Sequence, residues 1–282
     1  MSKSKYPLVA IVILNWNGKK LLKTCLSTLF QLTNYPNYKV VVVDNGSIDG
    51  SIEIVKKYFP KVDVLALGKN YGFVKGNNEG IKYVLKKYSP DYILLLNNDT
   101  KIIQKNWLTE MVKVAESDEK VGIVGCKMLS PTRKITVGRV LIFRKSIGEC
   151  NRSCDVDAVS GACMLISRDL ISSIGLLDEV YSPYYFEDTD YCWRAKKKGF
   201  RIIYHGKATI IHLKGSSMKM QEPIYNFFIR TKNGLIFTFR YFPIIEKIKE
   251  FHRDFLQRFF LFFYAFFLAL KTYRNFRNKK LK

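Results

Sequence analysis

The sequence predicts an α/β protein built on a central, mostly parallel sheet flanked by helices. Three observations carry this. Short runs of Val, Ile and Leu alternate with helix-length amphipathic stretches through the first half of the chain. The first of them, Leu8 to Leu14, is apolar at every position, as a strand covered on both faces is. Each run then stops at a cluster of Asn, Asp, Gly or Ser. With 48% apolar and 25% charged residues among 282, the chain has ample material for a core and is not of the disordered class.

The elements follow in order. Leu8 to Leu14 is the first buried strand. Its Lys-flanked approach has the outline of a signal peptide, but the run ends after about seven residues at Asn15-Trp16-Asn17-Gly18 with no small-residue cleavage site. Lys19 to Leu32 reads as a helix with Leu22, Leu26 and Leu29 on one face. Lys39 to Val43 is the second strand, ending at Asp44-Asn45-Gly46-Ser47, where Ser47 or Asp49 is expected to cap a helix over Ser51 to Tyr58. Val62 to Leu67 is the third strand and Gly76 to Tyr88 a helix. Tyr92 to Leu96 is the fourth strand and stops at Asn97-Asn98-Asp99. Further on, Val121 to Met128 and Val156 to Ser167 read as strands around a loop-rich basic stretch. A helix over Asp188 to Lys198 and a strand over Arg201 to His212 complete the series.

Open parallel sheets bind ligands beyond the carboxyl ends of their strands. One polar cluster at a strand end is explained by turn formation; three on one edge point to a binding site. Asn70-Tyr-Gly72-Phe-Val-Lys-Gly76-Asn-Asn78-Glu-Gly80 spaces glycines four apart and matches neither the dinucleotide fingerprint nor a P-loop. Two readings stand for it: backbone N–H groups approaching a phosphate at a helix N-terminus, or small residues that let a helix pack on the sheet. In Tyr184-Tyr-Phe-Glu187-Asp188-Thr-Asp190, Asp190 falls four before Arg194, the spacing of a helical ion pair. Asp188 opens that helix, as a cap or as a reactive carboxylate.

Taken in order, Asn15-Trp16-Asn17-Gly18, Asp44-Asn45-Gly-Ser47-x-Asp49-Gly50, Asn70-x-Gly72-Phe73, Asn97-Asn98-Asp99, Gly161-Ala-Cys-Met-Leu-Ile, Asp178-Glu179, Glu187-Asp188-x-Asp190 and His212 with Ser216 resemble family 2 glycosyltransferases of the GT-A (nucleotide-diphospho-sugar transferase) fold, in particular their rhamnosyltransferase-like branch. The resemblance covers roughly residues 7 to 217. It implies a catalytic domain over 1–217 and metal-dependent, inverting transfer of a sugar from a nucleotide diphosphate-sugar. Asp44, Asn45, Ser47 and Asp49 would hold base and ribose, with Asn15, Asn17, Asn70, Gly72, Asn78 and Asn98 also on the donor side. Asp99 matches the metal-binding acid of the family's Asp-x-Asp, for Mg²⁺ or Mn²⁺. The first acid of that pattern is Asn97 here, which lowers the ligand charge. His212 joins the metal by analogy, its alternative being a hydrogen-bonded strand-end histidine. Asp188 would be the general base, with Gly161, Glu187, Trp193 and Arg194 on the acceptor side.

The remaining segment, 218–282, is basic and aromatic-rich and reads as a helical, membrane-associating extension. Lys and Arg number 47 against 24 Asp and Glu, a net +23, which attracts nucleic acid, anionic lipid or phosphorylated substrates. After Asp254 the chain has no acid, while Arg258, Lys271, Arg274, Arg277, Lys279, Lys280 and Lys282 surround the apolar run Phe259 to Leu270. As a helix that run is ~18 Å long, against the ~30 Å of a hydrocarbon core. Tyr225 to Ile245 mixes aromatics with Arg230, Lys232 and Arg240. Both segments suit helices lying in a membrane interface; the alternative is packing into the core or against a dimer partner. A membrane seat, at the cytoplasmic face of the cell membrane, suits a lipid-linked saccharide acceptor.

Two other functions share some of these features. A nucleotidyltransferase would use strand-end acids and a metal but leaves Glu187-Asp188 unexplained. A nucleic-acid binder would use the charge, but no recognition motif supports it. The six cysteines include no Cys-x-x-Cys pair; Cys150 and Cys154 could join a zinc site, but reduced structural thiols in a cytosolic setting are the expectation.

Overall fold

The computed structural model describes residues 6–132, 134–136, 139–140, 151–213 and 223–242. The apolar run near Phe259, the residues around Ser216 and Cys150 lie outside them. The first half alternates β1 (Val9–Asn15), α1 (Lys19–Leu32), β2 (Tyr38–Asp44), α2 (Ser51–Tyr58), β3 (Asp63–Ala66), α3 (Gly72–Tyr88) and β4 (Tyr92–Leu96). There follow β5 (Thr100–Ile102), α4 (Trp107–Ala115), β6 (Val121–Leu129), β7 (Ile135–Thr136), β8 (Arg139–Val140), β9 (Ser153–Asp155), β10 (Ala158–Val159) and β11 (Cys163–Ser167). The series closes with α5 (Arg168–Ile174), a 3₁₀ turn at Glu179–Tyr181, α6 (Glu187–Lys197), β12 (Arg201–His212) and α7 (Pro223–Tyr241).

The main sheet runs β3-β2-β1-β4-β11-β6-β12-β5. Its first four strands are parallel, but β11 is antiparallel to both β4 and β6, and β5 is antiparallel to β12. The sheet is therefore mixed rather than mostly parallel. The expected strand over 156–167 explains the difference. It is two strands, because Ser160-Gly161-Ala162 turns out of the ladder; β10 pairs with β8 in a small second sheet while β11 enters the main one. Val9 to Ile13 are fully buried, and Leu22, Leu26 and Leu29 of α1 pack in the same core as Ile11, Ile13 and Trp107.

Two local expectations are corrected. α2 begins after Gly50 with no side-chain cap; Asp49 instead accepts hydrogen bonds from the N–H groups of Ser51 (3.1 Å) and Lys19 (2.8 Å), tying α2 to α1. α3 starts at Gly72, a turn earlier than expected. A Cβ at Gly80 would lie 2.5 Å from Val12 Cγ1, and one at Gly76 2.6 Å from Leu14 Cδ1, so these glycines let α3 settle on β1.

Spatially the chain divides into two compact units, Met1–Asn233 and Gly234–Lys282. Of the second, the described residues form the last turns of α7, where Phe237 packs edge-on against Tyr241 at 5.0 Å. Among the described residues, no helix is long and apolar enough to cross a membrane, and Cys25, Cys126, Cys163 and Cys192 are free thiols.

Candidate active site

The strand ends open onto a cleft of about 860 Å³ within the first unit. Its walls include Asn45, Asn70, Gly72, Asn98, Asp99, Gly161, Glu187, Asp188 and His212, drawn from segments far apart in the chain. Crossing the sheet gathers them: β1, β2 and β4 end on one side, and the antiparallel β5–β12 register, His212 opposite Thr100, brings His212 to the end of β4.

On the donor side of the expectation, a polar network joins the three strand ends. Asn98 Nδ2 donates to Asn15 Oδ1 at 2.7 Å, and Asn15 Nδ2 donates to Ser47 Oγ at 3.2 Å. Ser47 Oγ also accepts from the N–H of Asn17, and Asn17 Oδ1 from that of Ile48, each at 2.9 Å. Asp44 Oδ2 accepts from the Ser47 N–H at 2.9 Å, while its Oδ1 is buried with no protein partner among the described residues. Burial works to raise the Asp49 carboxyl, but hydrogen bonds from Ser51 and Lys19 outweigh it and hold the group below its ordinary value. Asn45 bridges to the next loop, donating to Asn70 Oδ1 at 2.9 Å and accepting from the Tyr71 N–H at 2.9 Å. Asn78 is elsewhere: its amide exchanges hydrogen bonds with the backbone of Leu177, at 2.9 and 3.1 Å.

The N-terminus of α3 is occupied by protein. The N–H groups of Phe73 and Val74 donate to Pro183 O at 2.8 and 3.3 Å. Gly72, at φ +81, brings its backbone so close that a Cβ would stand 2.9 Å from Pro183. Packing, rather than phosphate capture, accounts for the glycine spacing.

At the end of β4, His212 Nε2 stands 3.1 Å from Asp99 Oδ1, both largely buried. Asn97 lines the same floor. Among the described residues no three His, Cys, Asp or Glu side chains cluster as a self-sufficient metal cage. One carboxylate and one imidazole do fit a cation that takes its other ligands from a bound diphosphate and water, the manner in which hard divalent ions are held beside phosphates.

The second acid group divides cleanly. Asp188, partly exposed to the cleft, accepts the N–H of Gly161 on Oδ2 at 3.0 Å and its neighbour Thr189's N–H on Oδ1 at 2.7 Å. Burial raises its pKa, and these hydrogen bonds only partly oppose that. Such a carboxylate is fixed in orientation and disposed to take up a proton. Glu187 is 6% exposed and its pKa is pushed well up, first by burial and then by the adjacent Asp188. Asp190 points away into the core, where Tyr181 OH (3.1 Å) and Arg194 Nε (2.7 Å) meet it. Arg194 further donates to the carbonyls of Ile174 and Leu176 at 2.8 and 2.9 Å. Neither Arg194 nor Trp193 lines the cleft. Trp16, Tyr71, Tyr184, Tyr185, Tyr225 and Arg230 do. Sequence spacing did not single these out; the aromatics flanking Asn15, Gly72 and Glu187 were the available signal.

Residues 10–175 match the family model described as Glycosyl transferase family 2. The uncharacterized protein y4gI of Sinorhizobium fredii (strain NBRC 101917 / NGR234) is 26% identical over 234 residues, covering 75% of this chain and 25% of that protein, so the chain spans about a quarter of its length. The low-salt glycan biosynthesis hexosyltransferase Agl10 of Haloferax volcanii is 27% identical over 240 residues, covering 81% of this chain and 74% of that one. Among solved structures, the mannosyltransferase PcManGT from Pyrobaculum calidifontis, in complex with GDP-Man and Mn²⁺, superposes with a TM-score of 0.57 at 15% identity, over 74% of this chain and 58% of that one. The architecture is thus the GT-A type of α/β fold with a mixed central sheet.

Proposed function

The chain belongs to glycosyl transferase family 2, and from that premise we propose that it moves a sugar, hexosyl or rhamnosyl, from a nucleoside diphosphate-sugar to a hydroxyl of a lipid-linked saccharide, with inversion. The observation that carries this reading is a single cleft holding a backbone-fixed carboxylate, Asp188, together with the Asp99–His212 pair. Asp188 takes the proton from the acceptor hydroxyl while that oxygen bonds to the anomeric carbon and the carbon–oxygen bond to the diphosphate breaks. Attack on the face away from the leaving group inverts the configuration. The Asn15–Ser47–Asn98 network, with the unmatched Asp44 oxygen beside it, shapes the donor end for base and ribose. Asp99 and His212 would hold Mg²⁺ or Mn²⁺, which as a Lewis acid would neutralise the diphosphate leaving group.

The acceptor is lipid-linked in this reading, because α7 exposes Ile224, Phe227 and Phe228 beside Arg230 and Lys232 and contains no acid. That surface suits the cytoplasmic face of a membrane.

A panel of nucleotide sugars assayed for nucleoside diphosphate release tests the reading. Release should stop on chelation and return with Mg²⁺ or Mn²⁺. Asp188→Asn should lose about 10²–10⁴-fold in turnover while still binding the nucleotide. Near-normal turnover of folded Asp188→Asn overturns the base assignment, and pyrophosphate as the product overturns the reaction class.

A further inference from the structure

The segment that delivers Asp188 to the cleft, residues 181–186, takes a costly path. Tyr185 and Phe186 both lie in the left-handed region, at φ 74 and 71, without being glycine. Something around them must over-determine that conformation, and part of the restraint comes from outside residues 1–217. Asn233 of α7 is fully buried, and its Nδ2 lies 2.7 Å from Tyr181 O, 2.8 Å from Tyr184 O and 2.9 Å from Tyr185 O. Three carbonyls, two of them flanking the turn, thus converge on one amide. The same stretch of helix adds two lighter ties: Lys232 Nζ donates to Ser182 O at 3.0 Å, and Asn226 Oδ1 accepts from Tyr184 OH at 2.6 Å. On the other side, Pro183 O is held by the N-terminus of α3.

We propose that Asn233 is a positioning residue for sugar transfer: its amide fixes the backbone turn through Tyr184–Phe186 and so the direction in which α6 presents Asp188. This rests on Asp188 being the general base. Asn233 touches neither substrate nor reacting atoms in this role; it acts through the main chain. An amide is suited to it because three carbonyl oxygens need a donor, and a carboxylate of the same shape would repel all three. A consequence is that the catalytic machinery extends into α7 rather than ending near residue 217.

The test uses the full chain and whichever nucleotide sugar the wild type accepts. Asn233→Ala and Asn233→Asp should each lower kcat by about 10- to 100-fold, the scale of a misplaced reacting group. Donor KM should stay within about twofold, since the nucleotide end of the cleft is untouched. The acid limb of the kcat–pH profile should move to lower pH, because a loosened turn admits water to Asp188; a purely structural loss would lower thermal stability and leave that limb where it was. Wild-type kcat in folded Asn233→Asp, or an unmoved acid limb, overturns the proposal. If neither variant folds, the solvent-accessible pair Asn226→Ala/Lys232→Ala decides: a drop of about two- to fivefold in kcat at constant donor KM supports it, and unchanged kcat overturns it. Asp188→Asn is run alongside; if it turns over normally, the base assignment fails and not the clamp alone.

Discussion

At the scale of single residues, Glu187 and Asp188 show how neighbouring carboxyls acquire different tasks. Asp188 has two backbone N–H donors and faces the cleft, whereas Glu187 is more deeply buried and its Oε2 has no hydrogen-bond partner among the described residues. Its raised pKa means that the folded state holds a proton more tightly than the unfolded chain does. That contribution is present below the ordinary value of 4.5 and is lost as pH rises through the folded value. Glu187→Gln, which never ionises, should therefore melt higher than wild type at pH 8, by a few degrees for each ~1 kcal/mol gained. The gap should close toward pH 4.5. Equal melting temperatures across that range would show that ionising Glu187 costs the fold nothing, and a lower melting temperature for Glu187→Gln at pH 8 would show the anion to be stabilised. Which acids cluster was legible in the sequence, because motif spacing fixes neighbours along the chain. Which way each side chain turns was not: Asn78 reaches Leu177 and Arg194 reaches Ile174 and Leu176, partners set by tertiary crossing that no spacing encodes.

At the scale of elements, α6 is anchored at the face away from the cleft. Arg194 bridges the fully buried Asp190 and the carbonyls of Ile174, at the end of α5, and Leu176 just beyond it, so the helix cannot slide without breaking a buried ion pair. Removing one partner of such a pair costs about 3–5 kcal/mol, since the other charge stays buried. Arg194→Ala should accordingly lower the melting temperature by several degrees or more while acceptor KM in the folded protein stays near wild type. The reverse pattern, an unchanged melting temperature with a raised acceptor KM, would return Arg194 to the acceptor side. Strong periodic elements were legible to the residue: α1, α2, β4 and β12 span the ranges their patterns predict. The short ones were not. β5 has three residues and owes its existence to pairing with β12, α4 has no side-chain cap and is selected by the burial of Trp107, Leu108 and Met111, and α5 is a short helix whose cap, Ser167 accepting from the Leu170 N–H, closes an apolar run. The break between β10 and β11 was hidden for a related reason. An apolar run gives no sign that one backbone N–H inside it, that of Gly161, is committed to Asp188 instead of the ladder.

At the scale of the whole molecule, a net +23 sets the long-range field while the exposed apolar residues decide what that field finds. A nucleic-acid groove would interleave cations with stacking aromatics in a polar channel. α7 instead exposes Ile224 at 67% and Phe228 at 63%, side chains with no polar handle, next to Arg230 and Lys232. Burying such residues among acyl chains gains about 25 cal/mol per Å², and each nearby cation adds ~1 kcal/mol at an anionic surface. The two contributions respond differently to salt, which gives the test its resolving power. The full chain should sediment with vesicles containing anionic phospholipid and far less with neutral ones. Raising salt should weaken that binding without abolishing it, because the Debye length shortens from about 10 Å to 3 Å between 0.1 and 1 M while the apolar contribution persists. Phe227→Ser/Phe228→Ser should then leave only the salt-sensitive part. Duplex DNA that binds more tightly than anionic vesicles at the same ionic strength, or vesicle binding that the double substitution leaves unchanged, would remove α7 from the membrane and with it the reason for a lipid-linked acceptor.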